Sequence, residues 1–148
     1  MNPQTPAELR LGRQALTLLE AVLVAAAPEE GCALLIGGRD PLIIRRVWPC
    51  LNVWEPETER RRRFALDPRE QLLAQKWARA RGLSVLGSAH SHPVSEPVPS
   101  ALDRSLAFVP TLMLILGQGP AAGEPRSLAC WWLPEQGSPR RLAWRMDG

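Results

Sequence analysis

The chain has 148 residues, a length that suits one domain with a real core, and its net charge of +3 (18 basic against 15 acidic side chains) is mild. Its one dense basic run, Arg60 to Arg63, is partly cancelled by Glu55, Glu57 and Glu59, which fits a solvated loop or strand edge and not a nucleic-acid-binding face. With no Tyr there is no phenol to act as acid or base, and three cysteines without a Cys-x-x-Cys pair speak against a disulfide framework and for a reduced, cytoplasmic setting.

At the N-terminus, Thr5-Pro6-Ala7-Glu8 has the grammar of a helix start, and Leu11, Ala15, Leu18, Leu19, Val22 and Leu23 recur at helical spacing, so a helix is expected to run to about Ala26. Arg10 and Arg13 before an apolar, alanine-rich run loosely resemble a signal peptide. Glu8 and Glu20 interrupt that pattern, and cleavage after Ala27 would leave Pro28 first. The run is also too short to span a bilayer, so a soluble protein without a targeting segment is expected.

Cys32 to Gly37 and Leu42 to Trp48 are short apolar runs that suit strands, joined by a turn over residues 38–41. Asn52 to Arg62 is polar and irregular, and Arg63 to Leu66 suits a short strand. Asp67-Pro68-Arg69-Glu70 repeats the helix-start grammar for a helix reaching Arg81 and closing at Gly82. Leu83 to Ala89 reads as a strand, Ser100 to Asp103 opens a short helix, and Thr111 to Leu116, Leu128 to Leu133 and Leu142 to Arg145 are later strands. Strands mixed with three helices predict an α/β or α+β sheet domain occupying residues 1–148. Trp131 and Trp132 are consecutive, so on a strand one faces the core and the other faces out, where it would mark a partner surface.

The chemistry concentrates in His90-Ser91-His92-Pro93 and in Ser100-Ala101-Leu102-Asp103. These hold the only two histidines of the chain. On an extended backbone, residues two apart project to the same side, so both imidazoles can meet one point. Asp103, in the first turn of a helix, can turn back toward them. Two imidazoles and a carboxylate are the three protein ligands of a catalytic zinc site, with one position left for water acidified to near pKa ~7. A base that touches the water without binding the metal is still required. Glu30, just before the first strand, has the better register to Cys32 than its neighbour Glu29. Ser100 has two readings, as the cap of its helix and as a donor to the oxyanion. Ser91 faces away from the histidines, and Glu96 suits a solvated loop carboxylate beside the ligands.

His90-Ser91-His92-Pro93, six residues, Ser100, two residues and Asp103 resemble the JAMM motif of the MPN-plus (Mov34/MPN/PAD-1) metalloproteases. Glu30-Gly31-Cys32-Ala33-Leu34-Leu35-Ile36-Gly37 resembles that family's Glu-x-Cys-Gly-Leu-Leu-x-Gly segment, with Ala33 in place of Gly. Asn52, the stretch Arg63 to Pro68, and Val85 to Ala89 resemble its following elements, so the likeness covers residues from about 10 to 116. The resemblance, to the short prokaryotic type, implies a curved mixed β-sheet flanked by helices, similar to cytidine deaminases. It implies Zn2+ held by His90, His92 and Asp103, Glu30 as acid/base and Ser100 as oxyanion donor. The implied activity is a peptidase or isopeptidase acting on a peptide or at the C-terminus of a ubiquitin-like or sulfur-carrier protein. The alternatives are a non-catalytic MPN scaffold, which should lack a ligand, and a zinc amidase or deaminase on a small molecule; the deaminases pair their ligands with a Cys-x-x-Cys absent here.

Overall fold

The computed structural model describes residues 5–119, 121 and 123–148. Seven strands and three helices follow one another as β1 (Glu8–Gly12), α1 (Arg13–Ala25), β2 (Cys32–Arg39), β3 (Leu42–Cys50), α2 (Pro68–Arg79), β4 (Ser84–Ser91), α3 (Ala101–Leu106), β5 (Thr111–Gly117), β6 (Ser127–Leu133) and β7 (Arg140–Asp147), with a 3-10 turn at Glu57–Glu59. The strands lie in the order β1-β3-β2-β4-β5-β6-β7, and β1 pairs with β7 to close the sheet on itself. The sheet is mixed: β1 runs parallel to β3 and β7, β4 runs parallel to β5, and the other neighbours are antiparallel.

The strand alternation divides the core in two. Ala33 and Leu35 of β2 face Ala15, Leu19 and Leu23 of α1, in a cluster that gathers Leu9, Ile44, Leu112, Leu114 and Trp132. Leu34 and Ile36, on the opposite face, meet Ala74 and Ala78 of α2. Met113, Ile115 and Leu133 form a third cluster on that same outer face, next to Ala107 at the end of α3. Both faces of β2 and β5 are therefore covered, which explains their nearly unbroken apolar sequences.

Two expected elements differ. The N-terminal helix does not start at Thr5, because residues Glu8–Gly12 are strand β1 and helix α1 begins at Arg13. Leu9 and Leu11 are fully buried, alternating with the more exposed Glu8, Arg10 and Gly12, a period of two that closes the sheet against β7. That gain in backbone pairing outweighs a helix start that Thr5 and Pro6 advertise. Residues 63–66 form no strand and run as an extended strap into α2, whose N-cap Asp67 accepts a bond from Arg69 N at 2.9 Å. The later strands and α2 follow the expected order, and no helix among the described residues is long and apolar enough to cross a membrane.

Candidate metal centre

The centre is assembled where β2, β4 and α3 meet. His90 lies near the end of β4, paired with Cys32 on one side and Ile115 on the other. His92 follows just past the strand, its N–H donating to Leu116 O at 2.8 Å. Between them Ser91 turns to the other face. Its hydroxyl accepts from Gly31 N at 2.8 Å, and its own N–H donates to Gly31 O at 3.0 Å. This double link continues the β2–β4 register past Cys32, so Glu30 falls opposite His92. The side chain that the sequence sets apart as facing away thus brings the glutamate to the histidines.

Helix α3 supplies the carboxylate. Ser100 caps it, accepting from Asp103 N at 3.0 Å, while Asp103 Oδ2 accepts from Ser100 N at 2.9 Å, a reciprocal capping box. The same Oδ2 stands 3.0 Å from His90 Nε2 and 3.3 Å from His92 Nε2, and the two nitrogens are 3.1 Å apart. Ligand atoms of Glu30, His90, His92 and Asp103 all lie within 4.8 Å of one another, and all four residues are buried.

Three donor atoms about 3 Å apart fit the face of a small tetrahedron. Zinc bonds near 2.05 Å place neighbouring ligand atoms about 3.3 Å apart, so the spacing, the nitrogen and oxygen donor types and the burial all suit that ion. His92 Nδ1 donates to Glu96 O at 2.8 Å, which fixes the tautomer and leaves the Nε2 lone pair directed at the cluster. Glu30 Oε1 has no hydrogen-bond partner in the protein, although it is buried.

The charges are mutually dependent. Burial pushes the Glu30 carboxyl up to about 8, with His92 pulling it down and Asp103 adding to the rise. Burial also lowers His90, against the opposing pull of Asp103. Burial would lower His92 as well, but its bonds to Asp103 and the Glu96 carbonyl, with the field of Glu30, raise it. Asp103 is likewise desolvated, yet the two histidines and Ser100 N hold it well below the usual carboxylate range. The two carboxyls are thus driven in opposite directions, Asp103 toward its charged form and Glu30 toward its protonated one.

Of the sequence-derived site residues, Glu30, His90, His92 and Asp103 come together, and Ser100 stands at the edge as an exposed cap. Glu29 is outside the cluster. Glu96 contributes its backbone carbonyl and keeps its carboxylate in solvent. The basic run 60–63 forms part of a loop that pairs internally, Arg60 with Glu55 at 3.2 Å and Arg63 with Glu59 at 3.2 Å.

Several supporting residues have roles that motif spacing does not give. The Asn52 carboxamide donates to Glu30 O at 3.0 Å and Arg63 O at 2.9 Å, and accepts from Trp54 N and Ala65 N. It ties the 53–65 loop to the backbone of the glutamate. Phe64, on that strap, stacks on the His90 ring with centroids 4.3 Å apart and planes at 21°. Trp132 faces the core as expected, but Trp131 on the other face is not a free patch: its indole N–H donates to Pro97 O at 2.9 Å. It braces the loop whose Glu96 carbonyl holds His92. A cavity of about 600 Å3 opens beside Asp103, walled by Trp54, Phe64 of the strap, α2 (Gln71, Gln75), the last residue of α3 (Leu106) and Phe108 beyond it.

Residues 13–133 match the family model of prokaryotic homologs of the JAB domain. The solution structure of a protein from Desulfitobacterium hafniense superimposes with a TM-score of 0.79 at 31% identity, covering 94% of this chain and 92% of that one. A JAB1/MPN domain protein from Archaeoglobus fulgidus matches with a TM-score of 0.53 at 25% identity, over 91% and 97% of the two chains. A desampylase from Haloferax volcanii is 35% identical over 89 residues, and the matched part spans 60% of this chain and 62% of the desampylase. The curved sheet, its helices and the order of its motifs thus have one common source: the chain belongs to the prokaryotic JAB-domain branch of the JAMM/MPN family.

Proposed function

We propose that this chain is a zinc-dependent peptidase or isopeptidase that cuts at the C-terminus of a ubiquitin-like or sulfur-carrier protein. The observation that carries the reading is the convergence of two imidazole nitrogens and a carboxylate oxygen about 3 Å apart, with a buried, unpaired glutamate oxygen in the same group. The similarity to a desampylase supports the bond class and the ubiquitin-like substrate.

His90, His92 and Asp103 would hold the ion. A zinc ion there supplies Lewis acidity, polarising a carbonyl and making water acidic near neutral pH. Glu30 holds a proton at Oε1 and moves it, taking it from the attacking water and giving it to the leaving amine. Its pKa near 8 in the metal-free protein shows how far burial favours the protonated form, and a cation beside it offsets that preference. The Ser100 hydroxyl accepts from Asp103 N, so its own proton is free to be donated toward the substrate oxyanion. The cavity beside Asp103, with apolar walls and a few amide and hydroxyl groups, suits an extended chain terminus.

Ubiquitin-like sulfur carriers bearing C-terminal extensions are the test substrates. Zinc-loaded wild type should cleave them, and Glu30→Gln should bind zinc while losing roughly 10²–10⁴-fold in turnover. His92→Ala should lose both metal and activity. Equal turnover by wild type and Glu30→Gln would remove Glu30 from the mechanism. Ser100→Ala should lower kcat by roughly 10²–10³-fold if its hydroxyl meets the oxyanion.

A further inference from the structure

The two histidines are fixed in unlike ways. A metal-binding imidazole ordinarily donates its second ring N–H to a carbonyl or carboxylate, which sets the ring plane. His92 does so through Nδ1 to Glu96 O at 2.8 Å. His90 does not: its Nδ1 is buried and has no hydrogen-bond partner in the protein. The face of His90 is covered instead by Phe64, stacked at 4.3 Å and nearly parallel at 21°. Phe64 comes from no strand or helix, and its position depends on the strap that Asn52 ties down at Arg63 O and Ala65 N, the residues on either side of it.

We infer that Phe64 is the positioning residue for His90, setting the imidazole plane by ring stacking where a hydrogen bond would ordinarily set it. Rotation of the His90 ring about its Cβ–Cγ bond would swing Nε2 away from Asp103 Oδ2, now 3.0 Å distant, and the flat face of Phe64 blocks that rotation. Stacking brings no charge to the ring, whereas a carboxylate partner would raise the basicity of the imidazole. The arrangement orients His90 without strengthening it as a ligand. This inference rests on the proposed metal site and adds to it a residue that touches neither metal nor reacting atoms.

The test compares wild type with Phe64→Leu, which keeps apolar bulk, and Phe64→Tyr, which keeps the flat ring. Zinc affinity is measured by competition with a chromophoric chelator, and geometry by the visible spectrum of the cobalt-substituted protein. Phe64→Leu should bind zinc at least tenfold more weakly, with an altered cobalt spectrum, and Phe64→Tyr should stay close to wild type. Proton NMR of the wild type gives a reading independent of any variant. With only two histidines, the His90 ring protons are readily assigned, and Phe64 should shift them upfield by its ring current. Equal zinc affinity and cobalt spectra in wild type and Phe64→Leu would overturn the inference, as would equal losses in Leu and Tyr or unshifted His90 protons. Wild type that takes up no zinc would overturn the metal reading as well, so the two failures are told apart.

Discussion

A carboxylic acid kept out of water with one oxygen unpaired destabilises the fold whenever it must ionise. Glu30 is held up at about 8 against an ordinary 4.5, and the sign of its effect on stability follows. With the folded pKa above the unfolded one, its contribution is full below about 4.5 and is lost as pH rises through about 8. The metal-free protein should therefore lose stability over that window, and Glu30→Gln should flatten this part of the curve. The difference between the two denaturation profiles reports Glu30 together with its coupling to His92. The cysteines make a second prediction at this scale. Burial pushes Cys32 and Cys130 up to about 12 and Cys50 up to about 11, so little thiolate exists at pH 8. A colorimetric thiol reagent should find almost no fast-reacting thiol in the native protein and three after unfolding. The proposed ligands are legible in the sequence, because two histidines two apart and a carboxylate one helical turn past a cap are local geometry. Phe64 and Trp131 are not, because nothing in their spacing says where a loop will carry them.

Between strands and helices, the loop 93–99 shows how an element can be fixed from outside. Glu96 O holds His92, Trp131 holds Pro97 O, and Gln118 N donates to Ser95 O at 2.8 Å. Gly117 makes room for it: a Cβ there would lie 2.6 Å from Pro97 N and 2.8 Å from Ser95 O. Both contacts are backbone and cannot swing aside. Gly117→Ala should displace the loop, cost about 1–3 kcal/mol by overpacking, and weaken zinc binding roughly 10–100-fold through His92. Asp67→Ala, at the N-cap of α2, should cost a similar ~1 kcal/mol in a denaturant titration and leave zinc affinity unchanged. That pair separates general loosening from damage to the centre. At this scale the sequence announces α2 and the hairpin of β2 and β3 well, since caps, Gly and Pro punctuate them. It misleads at β1, where five residues of period-two burial follow a stronger helix-start signal.

For the whole molecule, the proposed ligands come from two separate stretches of chain, at residues 90–92 and 103, and the glutamate beside them from a third, at residue 30. Only the folded state can bring them together, so metal that binds the native form alone must raise its stability. At a free zinc concentration 100 times Kd the gain is about 2.7 kcal/mol, which for a chain of this size corresponds to roughly 5–10 °C in Tm. A chelator should reverse the shift, and His92→Ala should abolish it. Sequence motifs alone place the sheet in the right family of shapes. They leave out its closure, because the pairing of β1 with β7 joins segments more than a hundred residues apart.

The ladder between β2 and β4 runs without a break from Cys32 opposite His90 to Leu35 opposite Gly87, and slips only beyond Leu35. The β2–β3 ladder likewise slips only between Ile36 and Gly37. Both irregularities sit at the end of β2 remote from the histidines. Parity is thus preserved where chemistry depends on it and relaxed where it does not. One extra residue near the hairpin at Asp40 can be absorbed by the irregular end. One extra residue between Gly87 and His90 would turn both imidazoles through to the side where α1 lies, exchanging a metal-binding surface for hydrocarbon.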